Sequence, residues 1–334
     1  MDTNTAPIQK RSFGSLFQSD ATQKILAFAG LIVLFVGFSL ASPFFREVDN
    51  MMGILLATAV NCVLALGVTF VIITAGIDLS VGTVMALSAV MSGVFITVWK
   101  LPIPLGVLAG LGTGALCGLV NGTLISRMRI PPFIATLGMM YIAKGLALVI
   151  SGLKPVYFND TPAYATIAMG SIIGSIIPAF PIPNAVLIMF AAAIVAGLTL
   201  SKTVLGRYDF AIGSNEEATR LSGVSVANWK TAIYTLCGLF AGLGGVLMSA
   251  RLNSAQPALG SGYELDAIAA VVIGGTSLSG GEGTILGTVI GAFVISTLSN
   301  GLRVLSVPQE WQIVVTGAIV IGAVYLDMMR RQKS

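Results

Sequence analysis

The side chains able to do chemistry are concentrated in one stretch, residues 201–230, of a chain that is otherwise strongly apolar. Its acids, bases and amides would be costly in lipid, so we expect this stretch to face water. Within it, Ser214–Leu221 is typical of a short helix, because a Ser or Asn cap precedes acids in the first turn and a glycine can end the helix. The residues of interest are Gly206, Arg207, Asn215, Glu216, Glu217, Ala218, Arg220 and Gly223.

Two interpretations of this charged stretch remain open on its residues alone. A helix this short is marginal in water, which favours a surface of the membrane domain or a partner protein that holds it in place. A solvated connector between apolar segments is the plainer interpretation.

A second group of polar residues interrupts the apolar pattern at Ala75–Gly82. Glycines there free the backbone, and Ser80 can cap a new helix. Asp78 is an acid close to the membrane, and such acids mark functional sites. A tight, water-exposed turn in which Asp78 is only the N-terminal charge of a helix is the alternative.

Further polar residues lie in or beside apolar segments. Each can hydrogen-bond a neighbouring helix, which is the commoner use of such groups in membranes, or contact the hydroxyl groups of a solute that passes between the helices. Lys144 can also extend its long stem to the surface. The candidates for a pathway or a gate are Asn61, Thr69, Asp78, Ser80, Thr136, Asn253 and Gln256.

Several classes of chemistry are excluded by composition. The chain has no histidine, so a His-based nucleophilic triad, a histidine proton shuttle and a histidine zinc site are ruled out. The three cysteines lie in apolar stretches and are spaced like neither a metal site nor a disulfide framework. We therefore expect no catalytic residue, no metal site, no bound cofactor and no enzymatic activity.

The elements that must position these residues are helices in a membrane. Of the 334 residues, 55% are hydrophobic and 10% are charged, against roughly 25% charged in soluble domains. Apolar spans of about 20 residues satisfy their own backbone hydrogen bonds in lipid as helices, which predicts an all-α polytopic membrane protein. The net charge of +4 does not indicate nucleic-acid binding, because the basic residues are dispersed at span ends.

About ten transmembrane helices, some short or broken, are predicted within a single membrane domain at residues 25–327. Polar tails at 1–24 and 328–334 flank it, and no signal-peptide cleavage pattern follows the first span. Most Lys and Arg lie on the side of residues 201–230, which places that loop and both termini in the cytoplasm. The predicted spans are Ile25–Phe45, Met51–Thr74, Val81–Trp99, Ile103–Ile125, Phe133–Ser151, Pro183–Leu200, Thr231–Ala250, Leu265–Gly274, Thr284–Asn300 and Trp311–Leu326.

An internal repeat is predicted at an offset of about 180 residues. Ser80–Val90 can be laid on Gly260–Ala270, and Asn121 falls on Asn300 at nearly the same offset. Because these two asparagines are expected at opposite faces of the membrane, the repeat would be inverted, as in many transporters. Accidental similarity between glycine-rich helices is the alternative. The predicted halves are about 51–151 and 231–327.

The segment Gly152–Pro183 lies on the outer side in this topology and is rich in proline. Its length indicates either a functional or a disordered segment. Its apolar patch, Ile172–Ile177, can dock a protein that delivers substrate or can form a re-entrant half-helix, and both interpretations remain open.

Four stretches together resemble the ribose-type sugar permease family, and the likeness covers nearly the whole chain from about residue 25. Within them, Glu217–Gly223 is similar to the Glu-Ala-Ala loop through which permease subunits of bacterial ABC importers dock on their ATPase. It departs from that loop at Thr219, where the family has a second alanine. The stretches are Thr74–Gly82, Leu205–Tyr208, Gly213–Gly223 and Gln256–Val272.

The resemblance implies the permease subunit of a binding-protein-dependent ABC importer in the bacterial inner membrane, carrying a ribose-like monosaccharide or a related sugar. It implies three protein partners: an ABC ATPase subunit docked on residues 201–230, a periplasmic sugar-binding protein and a second permease copy in a homodimer. ATP and Mg²⁺ would be bound by the ATPase, and Asp78 and Ser80 would have a structural role at the gate.

Two other functions compete with this one. A self-sufficient secondary sugar transporter accounts for the spans and the repeat but not for the charged loop, and Asp78 and Asp266 are few carboxylates for ion coupling. A membrane enzyme would need a nucleophile paired with a base, which the chain does not offer. Leu278–Glu282 echoes the signature motif of ABC ATPases, but without a Gly-x4-Gly-Lys-Ser/Thr phosphate loop we expect only a tight inner turn there.

Overall fold

Helices form most of the chain in this computed structural model, which describes residues 20–178 and 180–331. Two short 3₁₀ helices, at Pro43–Arg46 and Pro162–Tyr164, and a two-stranded ladder accompany them. The α-helices are α1 (Asp20–Ala41), α2 (Val48–Ile73), α3 (Val81–Gly93, continued by a π-helical turn at Val94–Val98), α4 (Ile103–Ser126), α5 (Pro132–Ile150), α6 (Thr166–Met169), α7 (Ile172–Ile176), α8 (Asn184–Lys202), α9 (Val204–Ser214), α10 (Glu216–Leu221), α11 (Val226–Leu252), α12 (Tyr263–Ile273), α13 (Ile285–Val304) and α14 (Gln309–Arg331).

Each predicted span coincides with a helix, and the all-α polytopic prediction is confirmed. Within the described residues, seven helices are long and apolar enough to cross a membrane: α2, α3 with its π-helical turn, α4, α5, α8, α11 and α13. The apolar part of α1 is shorter, and α12 has 11 residues. At 1.5 Å per residue α12 is about 16 Å long, half of the roughly 30 Å hydrocarbon core. The count of ten therefore stays a prediction.

The ends of the membrane domain extend beyond the predicted spans. α1 begins at Asp20, within the predicted N-terminal tail, and α14 continues to Arg331, within the predicted C-terminal tail. The rest of those two predicted tails, residues 1–19 and 332–334, lies outside the described residues.

Helix α2 lies at the centre of the bundle. In its most apolar window 94% of the residues are buried, whereas the corresponding windows of α4 and α5 are 28% buried. Since the apolar side chains of α4 and α5 face outward, these helices are placed to meet lipid, and α2 is enclosed by protein. Helices α8, α11, α12 and α13 all pack against it.

Close contact between α4 and α11 depends on glycine. Gly110, Gly114, Gly118 and Gly122 recur every fourth residue on α4 and lie on one face. A Cβ atom added at any of them would collide with a neighbouring helix; at Gly114 the obstacle is the backbone of Gly238 on α11. Small residues at this spacing let two membrane helices touch backbone to backbone.

The inverted repeat is visible in the arrangement of the helices. Helices α2 to α5 recur as α11 to α14 at the offset of about 180 residues, and the packing of α4 on α11 is matched by that of α13 on α2. Helices α2 and α11 are antiparallel, because Leu64 lies beside Gly244 while Gly67 lies beside Phe240. The two segments aligned in sequence also meet, since Gly82 packs against the backbone of Gly260.

The loops divide between two ends of the bundle as the topology predicts. At one end the Gly281 amide donates to the Ile73 carbonyl (2.9 Å), joining the turn after α12 to the end of α2. At the other end the Asn300 side chain donates to Asn50 Oδ1 (2.9 Å). We call these the inner and outer ends. Leu278–Glu282 forms a tight turn at the inner end, with positive φ at two glycines, as expected.

The long outer segment is anchored to the second half of the chain. Its strand β1 (Val156–Tyr157) pairs antiparallel with β2 (Ser254–Ala255), and the buried rings of Phe158 and Tyr164 stack at 4.1 Å. Helices α6 and α7 contain only four and five residues, too short for the re-entrant half-helix considered above. Three isoleucines of the apolar patch, Ile172, Ile176 and Ile177, are exposed.

Candidate functional site

The charged stretch folds as two helices at the inner end. The predicted short helix is present as α10, and Asn215 caps it by accepting a hydrogen bond from the Ala218 amide at 2.9 Å. Glu217 and Arg220 form an ion pair one turn apart (2.6 Å), with both side chains exposed. Gly223 ends the segment with a φ of +84°, where a side chain would be strained. We call α9 and α10 the charged surface.

The charged surface is fixed to the membrane helices at several points. Glu216 pairs with Lys230 in the first turns of α11 (2.6 Å), and the ring of Tyr208 packs on Trp229 with centroids 5.0 Å apart. Gly213 lies against the backbone at the end of α2. A force applied to α9 or α10 would therefore reach both α2 and α11. This attachment argues against a freely solvated connector.

The side of the charged surface that faces away from the membrane helices is exposed. Leu221 is 79% exposed, and the remaining sequence-predicted residues here, except Gly206, are exposed as well. Gly206 instead packs against the backbone at Leu200. The buried Thr219 hydroxyl donates to the Ala211 carbonyl (2.8 Å) and joins α10 to α9. Sequence comparison marked Thr219 as a departure from the family loop, and the structure gives it this bonding role.

Asp209 is a buried acid on α9 that sequence analysis did not single out as a site residue. It is fully buried, and neither carboxylate oxygen has a hydrogen-bond partner among the described residues. Burial raises the pKa of this carboxyl well above its usual value, because the charged form loses its hydration.

Asp78 is 2% exposed, so its interpretation as a water-exposed turn is wrong. Its carboxylate accepts hydrogen bonds from the Ser80 amide (2.8 Å) and the Ser80 hydroxyl (2.6 Å). The Asn121 side chain in turn donates to Ser80 Oγ (3.0 Å). The acid thus fixes the turn that begins α3 and joins it to α4. A sequence pattern within Ala75–Gly82 cannot show that Asn121 is a partner.

Most of the other pathway candidates are engaged in local structure. Thr69 donates to the Ala65 carbonyl and bonds Thr288 across helices (2.7 Å). Thr136 donates to its own helix, Asn253 ends α11 in the left-handed conformation, and Gln256 donates to Ser254 Oγ (3.0 Å). For Thr69, Thr136 and Gln256 the structure favours helix packing and turn formation over contact with a solute. Asn253 Oδ1 is buried without a hydrogen-bond partner among the described residues.

Asn61 differs, because it lines a cavity. The cavity, of about 160 Å³, lies between α2, α11, α12 and α13 and extends toward the outer end; we call it the outer cavity. Asn61 is 8% exposed and its Oδ1 has no hydrogen-bond partner among the described residues. Other polar side chains that line the outer cavity are Arg251, Tyr263, Asp266, Ser296 and Arg303.

Sequence analysis missed most of the outer cavity. It did not single out Arg251 or Arg303, and it considered Asp266 only as a possible coupling acid. One signal was available in the sequence: Ser296 and Arg303 are seven residues apart, which places them two turns apart on one face of α13. What the sequence does not give is which helix faces meet.

Comparison with known proteins covers nearly the whole chain. Residues 50–324 match the family described as "Branched-chain amino acid transport system / permease component". The chain is 42% identical over 300 residues to the ribose import permease of Escherichia coli strain K12, covering 89% of this chain and 91% of that one. The corresponding protein of Bacillus subtilis strain 168 is 42% identical over 313 residues, covering 93% and 94%. A fructose import permease of Rhizobium meliloti is 37% identical over 322 residues, covering 95% and 88%.

No solved structure gives a significant match. These relatives confirm the resemblance to the ribose-type sugar permease family. The chain belongs to the family of transport-system permease components that includes the ribose and fructose import permeases.

Proposed function

We propose that this chain is the membrane subunit of an ABC importer that carries a monosaccharide of the ribose class across the bacterial inner membrane. The observation that carries the proposal is the 42% identity to ribose import permeases over about nine-tenths of both chains. The long apolar spans and the inverted repeat support it, because they provide a membrane pathway between two halves. Few charges lie within the spans, which suits a neutral solute.

In this proposal the energy comes from a partner. ATP and Mg²⁺ are bound by a separate ATPase subunit, and this chain contributes no catalytic residue. The ATPase docks on the charged surface at the inner end, which is therefore cytoplasmic together with both termini. Closure of the ATPase would push on α10 and, through Lys230 and Gly213, move α11 and α2.

Two further partners complete the importer. A soluble sugar-binding protein docks at the outer end, where Ile172 and Ile176 expose apolar surface. A second copy of this chain supplies a second charged surface, so that each of two ATPase domains can dock on one. These assignments rest on the partners that the family resemblance implies. They also rest on the positions of the charged surface and the apolar patch at opposite ends of the bundle.

Purification with a tagged chain, followed by reconstitution in vesicles, tests the proposal. We expect an ATPase and a sugar-binding protein to co-purify, and the complex to accumulate D-ribose only when ATP is supplied. The chain alone should not concentrate sugar. Uptake by the chain alone, driven by an ion gradient, would instead support a secondary transporter.

The docking role of the charged surface has its own test. Glu217→Lys removes the exposed ion pair with Arg220, and Gly223→Asp places a charge where no atom lies within 4 Å. Both variants should reach the membrane, yet sugar uptake should fall at least tenfold relative to ATP turnover. Gly152→Asp is the matched control, because Gly152 also has positive φ and open space but lies at the outer end. Normal coupled transport by both variants would remove the assigned role.

A further inference from the structure

A groove opens on the side of the bundle at its inner end, between α4, α9 and α11. We call it the inner groove, and its volume is about 530 Å³. Helix α4 is one of the helices whose apolar side chains face outward, so the inner groove opens toward lipid. Leucines and alanines form most of the wall, and Arg127 is the one charged residue among the described residues that line it.

The depth of the inner groove matches one leaflet of a membrane. Asn228 at its inner end and Leu239 at its deep end are about 16 Å apart along α11. Half of the roughly 30 Å hydrocarbon core is about 15 Å. Trp229, the residue after Asn228, packs on the ring of Tyr208, and such residues concentrate where a membrane meets water. The mouth of the groove therefore lies at the level of lipid head groups, and its deep end at the level of acyl chains.

The polar side chains inside the inner groove are already bonded to the protein. Thr231 donates to the Ala227 carbonyl (2.9 Å), and Thr235 donates to the Thr231 carbonyl (2.8 Å). Ala232 and Leu236 lie on the same wall and have no polar side-chain atom. A wall of this kind suits a hydrocarbon chain, whereas a solute rich in hydroxyl groups would lose its hydration there without replacing it.

The mouth of the inner groove presents hydrogen-bond donors. Arg127 is exposed and donates through Nη2 to Asn228 Oδ1 (3.2 Å), and it forms no ion pair among the described residues. Because a guanidinium can only donate, this bond directs the amide oxygen of Asn228 to Arg127 and leaves the amide NH₂ group for another acceptor. Two donor groups side by side, with no carboxylate in the described wall, complement a phosphate.

We propose that the inner groove binds one anionic phospholipid of the cytoplasmic leaflet, with its phosphate on Arg127 and Asn228 and one acyl chain between α4 and α11. Basic pockets between membrane helices on the cytoplasmic side are typical of such sites. The lipid would touch α9 at Leu205 and so join the charged surface to two membrane helices. The inference goes beyond the proposed function: it takes from it the cytoplasmic position of the inner end and does not depend on the solute.

Lipid titration of the purified full-length chain, read by native mass spectrometry, tests the head-group contact. The chain should bind one phosphatidylglycerol at least tenfold more tightly than zwitterionic phosphatidylcholine. Arg127→Gln should lower the affinity for phosphatidylglycerol about tenfold, as expected for loss of a hydrogen bond to a charged group. Arg129→Gln is the matched control, because Arg129 is an exposed arginine of the same loop that does not line the groove. Unchanged affinity in Arg127→Gln, or an equal loss in both variants, would overturn the inference.

Filling the groove tests the acyl-chain contact. Ala115→Phe places a ring in the deep end and should lower the affinity for phosphatidylglycerol about tenfold, since the ring occupies the space of the chain. Leu116→Phe, at the exposed neighbour outside the groove, should leave the affinity unchanged. Millimolar inorganic phosphate should not displace the lipid. Displacement by phosphate, or equal affinities of the two phenylalanine variants, would rule out the proposed occupant.

Fluorescence of Trp229 locates the bound lipid. The chain has three tryptophans, and Trp99→Phe combined with Trp311→Phe leaves Trp229, at the mouth of the groove, as the only one. Phosphatidylglycerol with brominated chains should quench this fluorescence saturably, because bromine quenches tryptophan at short range. Arg127→Gln should remove the saturable part. If the parent binds the lipid by mass spectrometry without quenching of Trp229, the lipid lies elsewhere and the inference fails.

The competing occupant of the inner groove is a second copy of this chain. Leu239→Cys places a thiol on the exposed part of the wall. In native membranes, oxidation should give no more disulfide-linked pairs of chains than the parent, whose own cysteines are buried or half-buried. Linked pairs formed through Leu239→Cys would show that protein covers the groove, which would overturn the inference. None of these measurements uses sugar uptake, so the proposed function can fail while the lipid site stands.

Discussion

At the scale of single residues, Asp209 has the least favourable environment of the acids on the charged surface. Neighbouring acids such as Glu216 and Glu217 are exposed and ion-paired, whereas Asp209 is buried without a hydrogen-bond partner among the described residues. The sequence shows an acid in a charged loop, but only the packing of α9 against the membrane helices shows which side of α9 is buried.

Asp209 should make stability fall as pH rises. The folded protein holds the Asp209 proton more tightly than the unfolded chain, since burial raises the pKa of this carboxyl. This contribution is fully present below the ordinary aspartate pKa of about 4 and is lost as pH rises through the folded-state pKa. Asp209→Leu should flatten that decline and raise the free energy of unfolding by about 1–3 kcal/mol at neutral pH.

Thermal unfolding of the purified protein between pH 5 and 8 measures this effect. Asp160→Asn, at an exposed acid, is the control and should keep the parent profile. If the parent and Asp209→Leu lose stability equally over that range, the carboxyl is not held in its protonated form.

Asp78 should act as a structural acceptor and not as an ion-coupling group. Asp78→Asn keeps one oxygen to accept from the Ser80 amide, whereas Asp78→Ala leaves two buried donors unpaired and should cost about 1–3 kcal/mol. We expect Asp78→Asn to retain ATP-driven uptake and Asp78→Ala to lower the unfolding temperature. Loss of proton-coupled uptake in Asp78→Asn would instead favour the secondary transporter.

At the scale of elements, the helices themselves were predictable, because a long apolar segment in lipid satisfies its own backbone hydrogen bonds as a helix. What the sequence left open was the use of polar residues within them. Thr69 and Asn61 lie on the same helix, two turns apart, and had equal standing as pathway candidates. Thr69 bonds Thr288 on the facing helix, while Asn61 faces an opening, and the difference depends on neighbours more than 200 residues away.

The contact between α4 and α11 should be intolerant of side chains. Gly114→Ile places a branched side chain against the backbone of Gly238 and should prevent stable folding, seen as loss of protein from the membrane or of a single peak in size-exclusion chromatography. Gly112→Ile is the matched control, because Gly112 is exposed on the same helix with no atom within 4 Å of an added Cβ. Equal yields of the two variants would show that the helices can separate without cost.

At the scale of the whole molecule, the repeat is what the sequence predicted most fully. The aligned segments Ser80–Val90 and Gly260–Ala270 lie at the starts of α3 and α12 and meet where Gly82 touches Gly260. The outer cavity was not predictable in the same way. Its walls come from four helices of both halves, and no single stretch carries its pattern.

The two ends of the bundle should be accessible from opposite sides of the membrane. With the charged surface in the cytoplasm, Leu221→Cys should react with a membrane-impermeant thiol reagent only in inverted vesicles. Tyr157→Cys, in β1 at the outer end, should react only in intact cells. The parent chain, whose cysteines are buried or half-buried, provides the background. Reaction of Leu221→Cys from outside would invert the topology and remove the ATPase from its proposed position.

Helix α11 runs without a break for 27 residues, about 40 Å. Near its start Lys230 holds α10, and in its last turn Arg251 stands in the outer cavity. Backbone contact with α4 along its length leaves it little space in which to bend. Such a helix can transmit force: its stiffness would decide how much of a displacement made at the inner end reaches the outer end as a tilt.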